Sequence, residues 1–449
     1  MKDGQDYYFI FSNFYNSILS LDKYVKEFVK SKDIFYSMKK NDSTGEITDE
    51  AKIEYIFSYL KYKQKYSGDE KKQKAIKNAE DKIKNDYKLN AFLKQVEFTD
   101  KGMTSNHPYI RMLIHNCNVE NENIKNEVTQ LKNNQIKNLI SIFEGLVSNL
   151  FVYYFKYSND PNLLNKENME FKDLKYIEKI EDVRDYIIDK KVMKIMFDSF
   201  NNWLKKYCDF CIKSGYNSID RDYKEYRYLI NELFERRHLL THNNGKINHI
   251  YLSKTDVKLN GDMNIGDELI VSNEYLDEAI LAILEFGTIL YTKSINVKEF
   301  VDKQKYLISL NSLGLDFLTN GYYKASEYIF QFLFNSSENK KGNGNDVYKY
   351  NIWLSKLLRN DKSCIIEIDR FFEHKDCNED DELARSILLG KENYIHTIEN
   401  FLAGASYSQV INILSWPIFL LLKNDDEFIE LKGKYLYNEF KERVDLNDA

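Results

Sequence analysis

Residues that interrupt regular secondary structure are scarce in this sequence. Its 449 residues include 17 Gly and 3 Pro, far below the usual combined share of about 12%. β-Sandwiches and barrels need many turns rich in these residues, and nucleotide-binding α/β folds need glycine loops. The sequence therefore disfavours both classes and predicts an all-α protein.

The length predicts more than one domain. A single hydrophobic core stops growing at about 250–300 residues, and this chain has 449. Hydrophobic residues make up 43% of it, which argues against disorder. From changes in pattern we expect a helical N-terminal region of unassigned role at 1–130, a helical bundle at 131–300 and paired short helices at 301–449.

The net charge of −6 is unevenly distributed, with about +2 in 1–130, −2 in 131–300 and −6 in 301–449. No region has the basic excess of a protein that holds duplex DNA by counterion release. Any contact with nucleic acid must therefore be local. The acidic C-terminal region is better suited to contact another protein.

Several features favour a soluble cytoplasmic protein. The N-terminal segment lacks the basic start and cleavage site of a signal peptide, and no run of 18 apolar residues is present. The five cysteines are unevenly spaced, which does not suggest a disulfide framework. We therefore expect no membrane association.

Apolar periodicity predicts the first helices. Residues 41–50 form a polar break between two of them, with Thr48 or Asp49 as the predicted cap of the second. Residues 101–111 are expected to form a loop, with a long helix starting near Asn133. The first 40 residues are expected to form an amphipathic helix with the apolar face Phe9, Phe14, Ile18, Leu21, Val25 and Phe28.

Three further helices are expected in the bundle. One covers about 190–213, a second covers about 222–241, and a third is the apolar segment that ends near Ser294. In the second, Arg237 falls four residues after Leu233 and seven after Ile230, so it projects from the apolar stripe. A guanidinium there needs a partner or a cleft, because burying an unpaired charge is costly.

His242 follows Arg237 by five residues and precedes Asn243, Asn244 and Gly245, residue types that end helices. On an unbroken helix the side chains of Arg237 and His242 would point about 140° apart. To act on one substrate they need a helix end at His242, a second copy of the chain, or both.

The segment Arg237-His238-Leu239-Leu240-Thr241-His242 resembles the R-x4-6-H motif of HEPN domains, including the polar residue directly after the arginine. The resemblance extends over about 133–294. It implies a HEPN-type helical bundle and an RNA endonuclease that needs no metal or other cofactor. The ribose 2′-hydroxyl attacks the adjacent phosphate in such enzymes, leaving a 2′,3′-cyclic phosphate and a 5′-hydroxyl.

The resemblance also implies residue roles and partners. His242 would exchange a proton with the reacting oxygens, and Arg237 would donate to the phosphate oxygens. His238, Glu144 and Asn243 are supporting candidates. The implied setting is a homodimeric toxin or anti-phage defence effector that cleaves single-stranded RNA or tRNA.

A structural interpretation of the same residues stays open. Arg237 could pair with Glu232, Glu235 or Glu144 while His242 only ends the helix, and Asn243 could serve helix termination alone. The chain would then be a dimeric interaction scaffold. An antitoxin-like partner of a nucleotidyltransferase is a weaker alternative, because no such domain is present in cis.

Residues 313–334 place small and aromatic side chains at the offsets of a tetratricopeptide helix-turn-helix. Gly390 lies 69 residues after Gly321, about two such units, and Asn360 with Asp361 marks an intermediate turn. The sequence thus resembles tetratricopeptide-like repeats over 301–449. We expect these repeats or the N-terminal region to hold a regulatory partner.

Other catalytic or metal-binding candidates are weaker. Cys208 and Cys211 have the spacing of half a zinc site, but no second pair accompanies them, so core or surface thiols are favoured. His107 and His115 lie near Cys117 without further evident ligands. No phosphate-binding glycine loop, GxSxG or HExxH segment occurs.

Overall fold

The computed structural model of the protein describes residues 3–38, 48–66, 68–99, 102–158, 163–164, 169–177, 179–213, 220–256, 263–336 and 343–445. Over these residues the chain is mostly helical, which confirms the all-α prediction. The strands of the described chain form one antiparallel hairpin, β1 (Val96–Thr99) with β2 (Gly102–Ser105), in which Val96 pairs with Ser105.

The helices are numbered in chain order. Those up to the end of the predicted bundle are α1 (Gly4–Met38), α2 (Asp49–Lys65), α3 (Glu70–Asn85), α4 (Tyr87–Leu93), α5 (Pro108–Tyr157), α6 (Ile180–Met196), α7 (Phe200–Lys213), α8 (Asp220–His242), α9 (His249–Lys254) and α10 (Asn273–Lys293). The remaining ones are α11 (Lys303–Thr319), α12 (Tyr323–Ser336), α13 (Asn343–Leu357), α14 (Ile365–Glu373), α15 (Glu379–Leu388), α16 (Tyr394–Leu402), α17 (Tyr407–Leu414) and α18 (Asp426–Asp445). Short 3-10 turns cover Phe171–Tyr176, Val297–Glu299, Lys362–Cys364 and Pro417–Leu422.

The chain divides into two compact units. The first comprises Met1–Ile18, Leu139–Asp267 and Asp277–Ala449, and the second comprises Leu19–Asn138 and Glu268–Leu276. The sequence places domain boundaries near 130 and 300 from changes in pattern. These boundaries stay predictions.

The second unit has two apolar clusters. One centres on Ile53 of α2 and Leu113 of α5, and the other on Ile56 of α2 and Ile83 of α3. Helix α2 begins where the sequence predicted, because the Thr48 hydroxyl accepts a hydrogen bond from the Ala51 N–H at 3.2 Å. The rest of the predicted polar break, 41–47, lies outside the described residues.

The first unit packs the start of α1 against α10 and the end of α5. The rings of Tyr7 and Phe11 both stack on the ring of Tyr291, with centroid distances of 4.5 Å and 4.3 Å. The predicted helix of α1 is confirmed, and so is the burial of Phe14. The prediction for Phe9 is wrong: it is 55% exposed, because the buried stripe starts at Tyr7 and Phe11.

Two predicted helix boundaries are corrected. Helix α5 begins at Pro108 and not near Asn133, since proline suits the first turn of a helix, where its missing N–H is not needed. The polar segment that follows hides the periodicity. The helix expected over 190–213 is broken at 197–199 into α6 and α7.

Helices α11 and α12 form the helix pair expected at 313–334. Gly321 ends the first helix with φ 84°, and a Cβ on Gly314 would lie 2.9 Å from the Phe330 ring, so the two helices approach closely there. Gly390 (φ 60°) and Asn360 (φ 61°) also lie at turns between helices. The C-terminal region is therefore built of paired short helices.

The paired helices contact α8 directly. The Tyr226 hydroxyl lies 3.3 Å from that of Tyr328 on α12 and donates to Glu285 of α10 at 2.8 Å. Lys324 of α12 forms an ion pair with Glu225. These contacts hold the first half of α8 between α10 and α12.

Helix α5 includes one 18-residue window with mean hydropathy 1.2, long and apolar enough to cross a membrane. Half of that window is buried within the protein. Core helices pass the same test, and Phe143 and Phe151 of α5 are fully buried.

Candidate functional site

A cleft of about 1040 Å³ lies beside the second half of α8. Its walls come from α5, α6, α7, α8 and α9, and Glu144, Arg237, His238 and His242 all line it. The structure therefore brings together four of the five residues that the sequence singled out.

Helix α8 ends at His242, as the sequence predicted. The backbone turns left-handed at Asn244 (φ 49°) and Gly245 (φ 72°), conformations that these residue types tolerate. The Gly245 N–H donates to the Leu239 carbonyl at 3.1 Å. His242, the last residue of α8, lines the same cleft as Arg237 despite the five-residue spacing.

The contacts of Asn243 are those of a helix-ending residue. Its side-chain amide donates to the Lys246 carbonyl at 2.6 Å, and its backbone N–H donates to the Leu239 carbonyl at 2.8 Å. It does not belong to the lining of the cleft. Asn243 thus stabilises the turn after α8, whereas the preceding His242 lines the cleft.

Arg237 forms an ion pair with Glu144 of α5. The guanidinium Nη2 donates to the Glu144 carboxylate at 2.8 Å, and the two side chains are 36% and 27% exposed. The guanidinium also lies over the Phe234 ring, at 5.8 Å from its centroid. Arg237 is therefore oriented on two sides and still open to the cleft.

Burial raises the pKa of the Glu144 carboxyl above its ordinary value, and the adjacent Arg237 offsets part of that rise. Removal from water disfavours the charged form of a carboxyl, whereas a nearby cation favours it. Glu144 is thus a carboxyl in a partly desolvated cleft, beside the Arg237 guanidinium.

His238 and His242 lie one helical turn apart on the exposed side of α8. Their ring centroids are 4.8 Å apart, with the rings tilted by 49°. Thr241 between them donates its hydroxyl to the Arg237 carbonyl at 2.8 Å. Two imidazoles and one guanidinium therefore lie on the cleft-facing end of one helix.

The sequence did not single out Arg236, which is the buried arginine of α8. It pairs with Glu232 at 2.7 Å, and the two side chains are 4% and 2% exposed. The Tyr251 hydroxyl of α9 donates to the same carboxylate. Glu232 at position i−4 was the signal that could have found this pair.

The three carboxylates considered as partners of Arg237 take different partners. Glu144 pairs with Arg237 and Glu232 pairs with Arg236. Glu235 pairs with Lys254 of α9 at 3.0 Å. The predicted contact between Glu144 and the motif helix is therefore confirmed, and the other two alternatives are not.

A cluster of packed aromatic rings forms part of the wall of the cleft. Phe200 and Phe234 stack at 4.5 Å, Trp203 meets Phe200 edge-on at 4.8 Å, and Phe143 lies 6.5 Å from Phe234. Phe143 and Trp203 are fully buried. Since Glu144 follows Phe143 directly and Arg237 lies over Phe234, this cluster fixes the ion pair.

Two exposed apolar side chains lie along the cleft, Met193 in the last turn of α6 and Phe197 at the break that follows it, and they are called the rim pair below. Hydrogen bonds from Asn202 and Lys206 and from the Ser199 backbone lower the pKa of Asp198 to about 2. Asp198 thereby secures the start of α7. The Asp-Ser dipeptide was the signal for this break, because such residues favour helix starts.

The lining of the cleft carries more acidic than basic side chains. It includes two with a permanent positive charge, Arg237 and Lys254, and four carboxylates, Glu144, Asp189, Asp198 and Glu235. Glu144 and Glu235 are paired with these two cations, and Asp198 is paired with Lys206 at 3.0 Å. The field of the cleft is therefore not strongly positive.

The cysteine and histidine candidates outside the cleft do not come together. Cys208 and Cys211 are buried on α7, and burial raises the pKa of Cys211 to about 12, so it stays a thiol. Cys117 is buried while His107 and His115 are exposed. Among the described residues no three His, Cys, Asp or Glu side chains are arranged to hold a metal ion.

Comparison of the chain with protein-family models, curated proteins and solved structures gave no match. The function is therefore inferred from the residues of the cleft themselves.

Proposed function

We propose that the protein is a metal-independent RNA endonuclease whose active site is the cleft beside α8. The carrying observation is that Arg237, His238 and His242 line one cleft at the end of α8. An imidazole suits proton exchange near neutral pH. A guanidinium suits a phosphate on which negative charge develops.

In this mechanism His242 moves the proton of the attacking ribose 2′-hydroxyl or of the leaving 5′-oxygen. Arg237 donates to the phosphate oxygens, and Glu144 orients Arg237 through their 2.8 Å hydrogen bond. His238 assists from 4.8 Å away, ring to ring. The products are a 2′,3′-cyclic phosphate and a 5′-hydroxyl, and no metal takes part.

The finer assignment of the fold belongs to the same proposal. Residues 131–300 form a HEPN-like bundle, and 301–449 form tetratricopeptide-like repeats. The helix pair with Gly314 packed against Phe330 supports the repeat assignment. A homodimer would bring two Arg237 and His242 sets together and raise the local positive charge that one cleft lacks.

The proposed setting is a cytoplasmic toxin or anti-phage effector that is restrained until triggered. Contacts from Tyr328 and Lys324 of α12 to the start of α8 give the repeats a direct connection to the motif helix. Purified full-length protein is expected to cleave faster in lysate from phage-infected cells than in buffer. Equal rates in both would contradict regulation by a trigger.

The test is cleavage of single-stranded RNA and tRNA by the purified full chain in EDTA. His242→Ala is expected to lower the rate by about 10²- to 10⁴-fold, the usual contribution of a general acid or base. His249→Ala is the matched control, because His249 is exposed on α9 outside the cleft. Loss of growth on induction should likewise disappear with His242→Ala and persist with His249→Ala.

A non-catalytic dimeric scaffold is the second candidate. The Glu144–Arg237 ion pair favours it, since a purely structural arginine would show the same contact. On this alternative neither His242→Ala nor Arg237→Ala changes any property beyond stability. Absence of cleavage by both wild type and His242→Ala would support the scaffold, and equal cleavage by both would contradict the role of His242.

A further inference from the structure

The two side chains of the rim pair are strongly exposed to solvent, although apolar side chains are stabilised by burial. Phe197 is 83% exposed and Met193 is 57% exposed, and both line the cleft. They lie one turn apart at the end of α6, where the Phe197 N–H donates to the Met193 carbonyl at 3.0 Å. Exposed apolar side chains grouped at the edge of a cleft are typical of a ligand-binding surface.

The charge of the cleft bears on which contacts can bind RNA. Proteins that hold nucleic acid through phosphates rely on an excess of Lys and Arg. Here Arg237 and Lys254 face four carboxylates in the lining. Within a single cleft, affinity for an RNA strand must therefore come largely from its bases.

Stacking of a base on an aromatic ring is the contact that such a cleft can supply. It contributes about 1–3 kcal/mol per base and works with any base, because every base has a π-face. The Phe197 ring is the strongly exposed aromatic side chain of the lining. Asn201 and Asn231 also line the cleft, and amides of this kind recognise base edges.

The size of the rim pair favours a base over a second copy of the chain. A stable protein interface buries about 1,200–2,000 Å² in total, and one aromatic side chain contributes about 150–250 Å². Two side chains beside a cleft of about 1040 Å³ fit a short stretch of single strand better than an interface.

We propose that Phe197 stacks on a nucleobase of the single-stranded RNA substrate in the cleft that holds Arg237 and His242, with Met193 packing against the edge of that base. This inference rests on the proposed function and adds to it the residue that binds the substrate. Phe197 is a binding residue, so its loss should act on KM and leave kcat nearly unchanged.

The experiment uses the full chain with two RNA oligonucleotides. One is cleavable, for kcat and KM, and the other is 2′-O-methylated and carries 2-aminopurine, whose fluorescence falls when it stacks. Phe197→Ala is expected to raise KM roughly 5- to 150-fold, the range for one lost base stack, and to remove the fluorescence quenching. Phe197→Trp should retain both the low KM and the quenching.

Phe171→Ala is the matched control, because Phe171 is 90% exposed and does not line the cleft. It should behave as wild type. The inference is overturned if wild type binds and cleaves RNA and Phe197→Ala does so equally well. It is also overturned if Phe197→Ala reduces the mass in light scattering from dimer to monomer without changing KM, which would assign the ring to a copy interface.

Failure of the proposed function gives a different result. Wild-type protein would then neither bind the methylated RNA nor cleave the unmodified one, and the inference would fall with it. Binding without cleavage, still dependent on Phe197, would retain the stacking site and overturn only the nuclease.

Discussion

Two neighbouring arginines of α8 lie in opposite surroundings. Arg236 is 4% exposed and pairs with the buried Glu232, to which Tyr251 also donates. Arg237 is 36% exposed, pairs with Glu144 and faces the cleft. One residue of helical rotation thus separates an arginine enclosed by the fold from one that a ligand can reach.

The comparison shows that an ion pair alone does not define the role of an arginine. Both residues have a carboxylate partner at less than 3 Å. The carboxylate partner of Arg236 is also bound by Tyr251 of α9, whereas Arg237 lines the cleft together with two exposed histidines. The Arg236 side of α8 is therefore buried in the fold, and the Arg237 side is the one for which we propose substrate contact.

The largest expected effect is a loss of unfolding free energy in Arg236→Ala relative to wild type. Removing one partner of a buried ion pair costs about 3–5 kcal/mol, since it leaves an uncompensated buried charge. Arg237→Ala should change the same quantity by no more than about 1 kcal/mol, as for exposed pairs. Urea unfolding of both variants measures this, and equal losses would remove the distinction between the two arginines.

The next effect concerns catalysis by Arg237→Ala. Loss of a group that stabilises developing charge lowers kcat by about 10²- to 10³-fold. Arg237→Lys should recover only part of the rate, because lysine lacks the forked donor geometry. Arg227→Ala is the matched control, since Arg227 is exposed on α8 outside the cleft, and a comparable loss of rate there would contradict the assignment.

A smaller effect is expected for Tyr251→Phe, which removes the hydroxyl that donates to Glu232. A hydrogen bond to a charged group contributes about 1.5–3 kcal/mol, and this much unfolding free energy should be lost. The cleavage rate per folded molecule should stay at the wild-type value. A lowered rate in fully folded protein would connect the buried network to catalysis.

The smallest effect is a pH dependence at Glu144. Its pKa is raised in the folded protein by burial, so the folded state binds that proton more tightly than the unfolded chain does. The stability of wild type relative to Glu144→Gln should therefore fall as the pH rises above about 4.3, the ordinary glutamate pKa. A relative stability that rises with pH would show that the ion pair with Arg237 outweighs burial.

Local signals in the sequence account for much of this site. Asn243, Asn244 and Gly245 predicted the end of α8, which falls at His242, and Asn244 and Gly245 form the left-handed turn that follows it. Glu144, beside the apolar face of α5, was one of three partners that the sequence offered for Arg237, and it is the one that pairs with it. Both inferences depend on residues that act within a turn or on one helix face.

The parts that the sequence did not reveal depend on tertiary contacts. Periodicity places Arg236 and Arg237 near the same stripe, and Tyr251, from the following helix, encloses one of them. The apolar residues before and after 197–199 keep one helical period, so the Asp-Ser signal for the break that exposes Phe197 was overlooked. The start of α5 at Pro108 was missed for a similar reason, because the polar segment after it lacks an apolar period.

The most direct test of the central claim is the chemistry of the cleaved ends. An RNA oligonucleotide is incubated with the full chain in EDTA, and its products are compared with those of the same oligonucleotide carrying a single 2′-deoxy nucleotide at the cleavage site. The proposed mechanism predicts a 2′,3′-cyclic phosphate and a 5′-hydroxyl from the RNA, and no cleavage at the deoxy position. Cleavage of the deoxy substrate, or products with a 3′-hydroxyl and a 5′-phosphate, would contradict it.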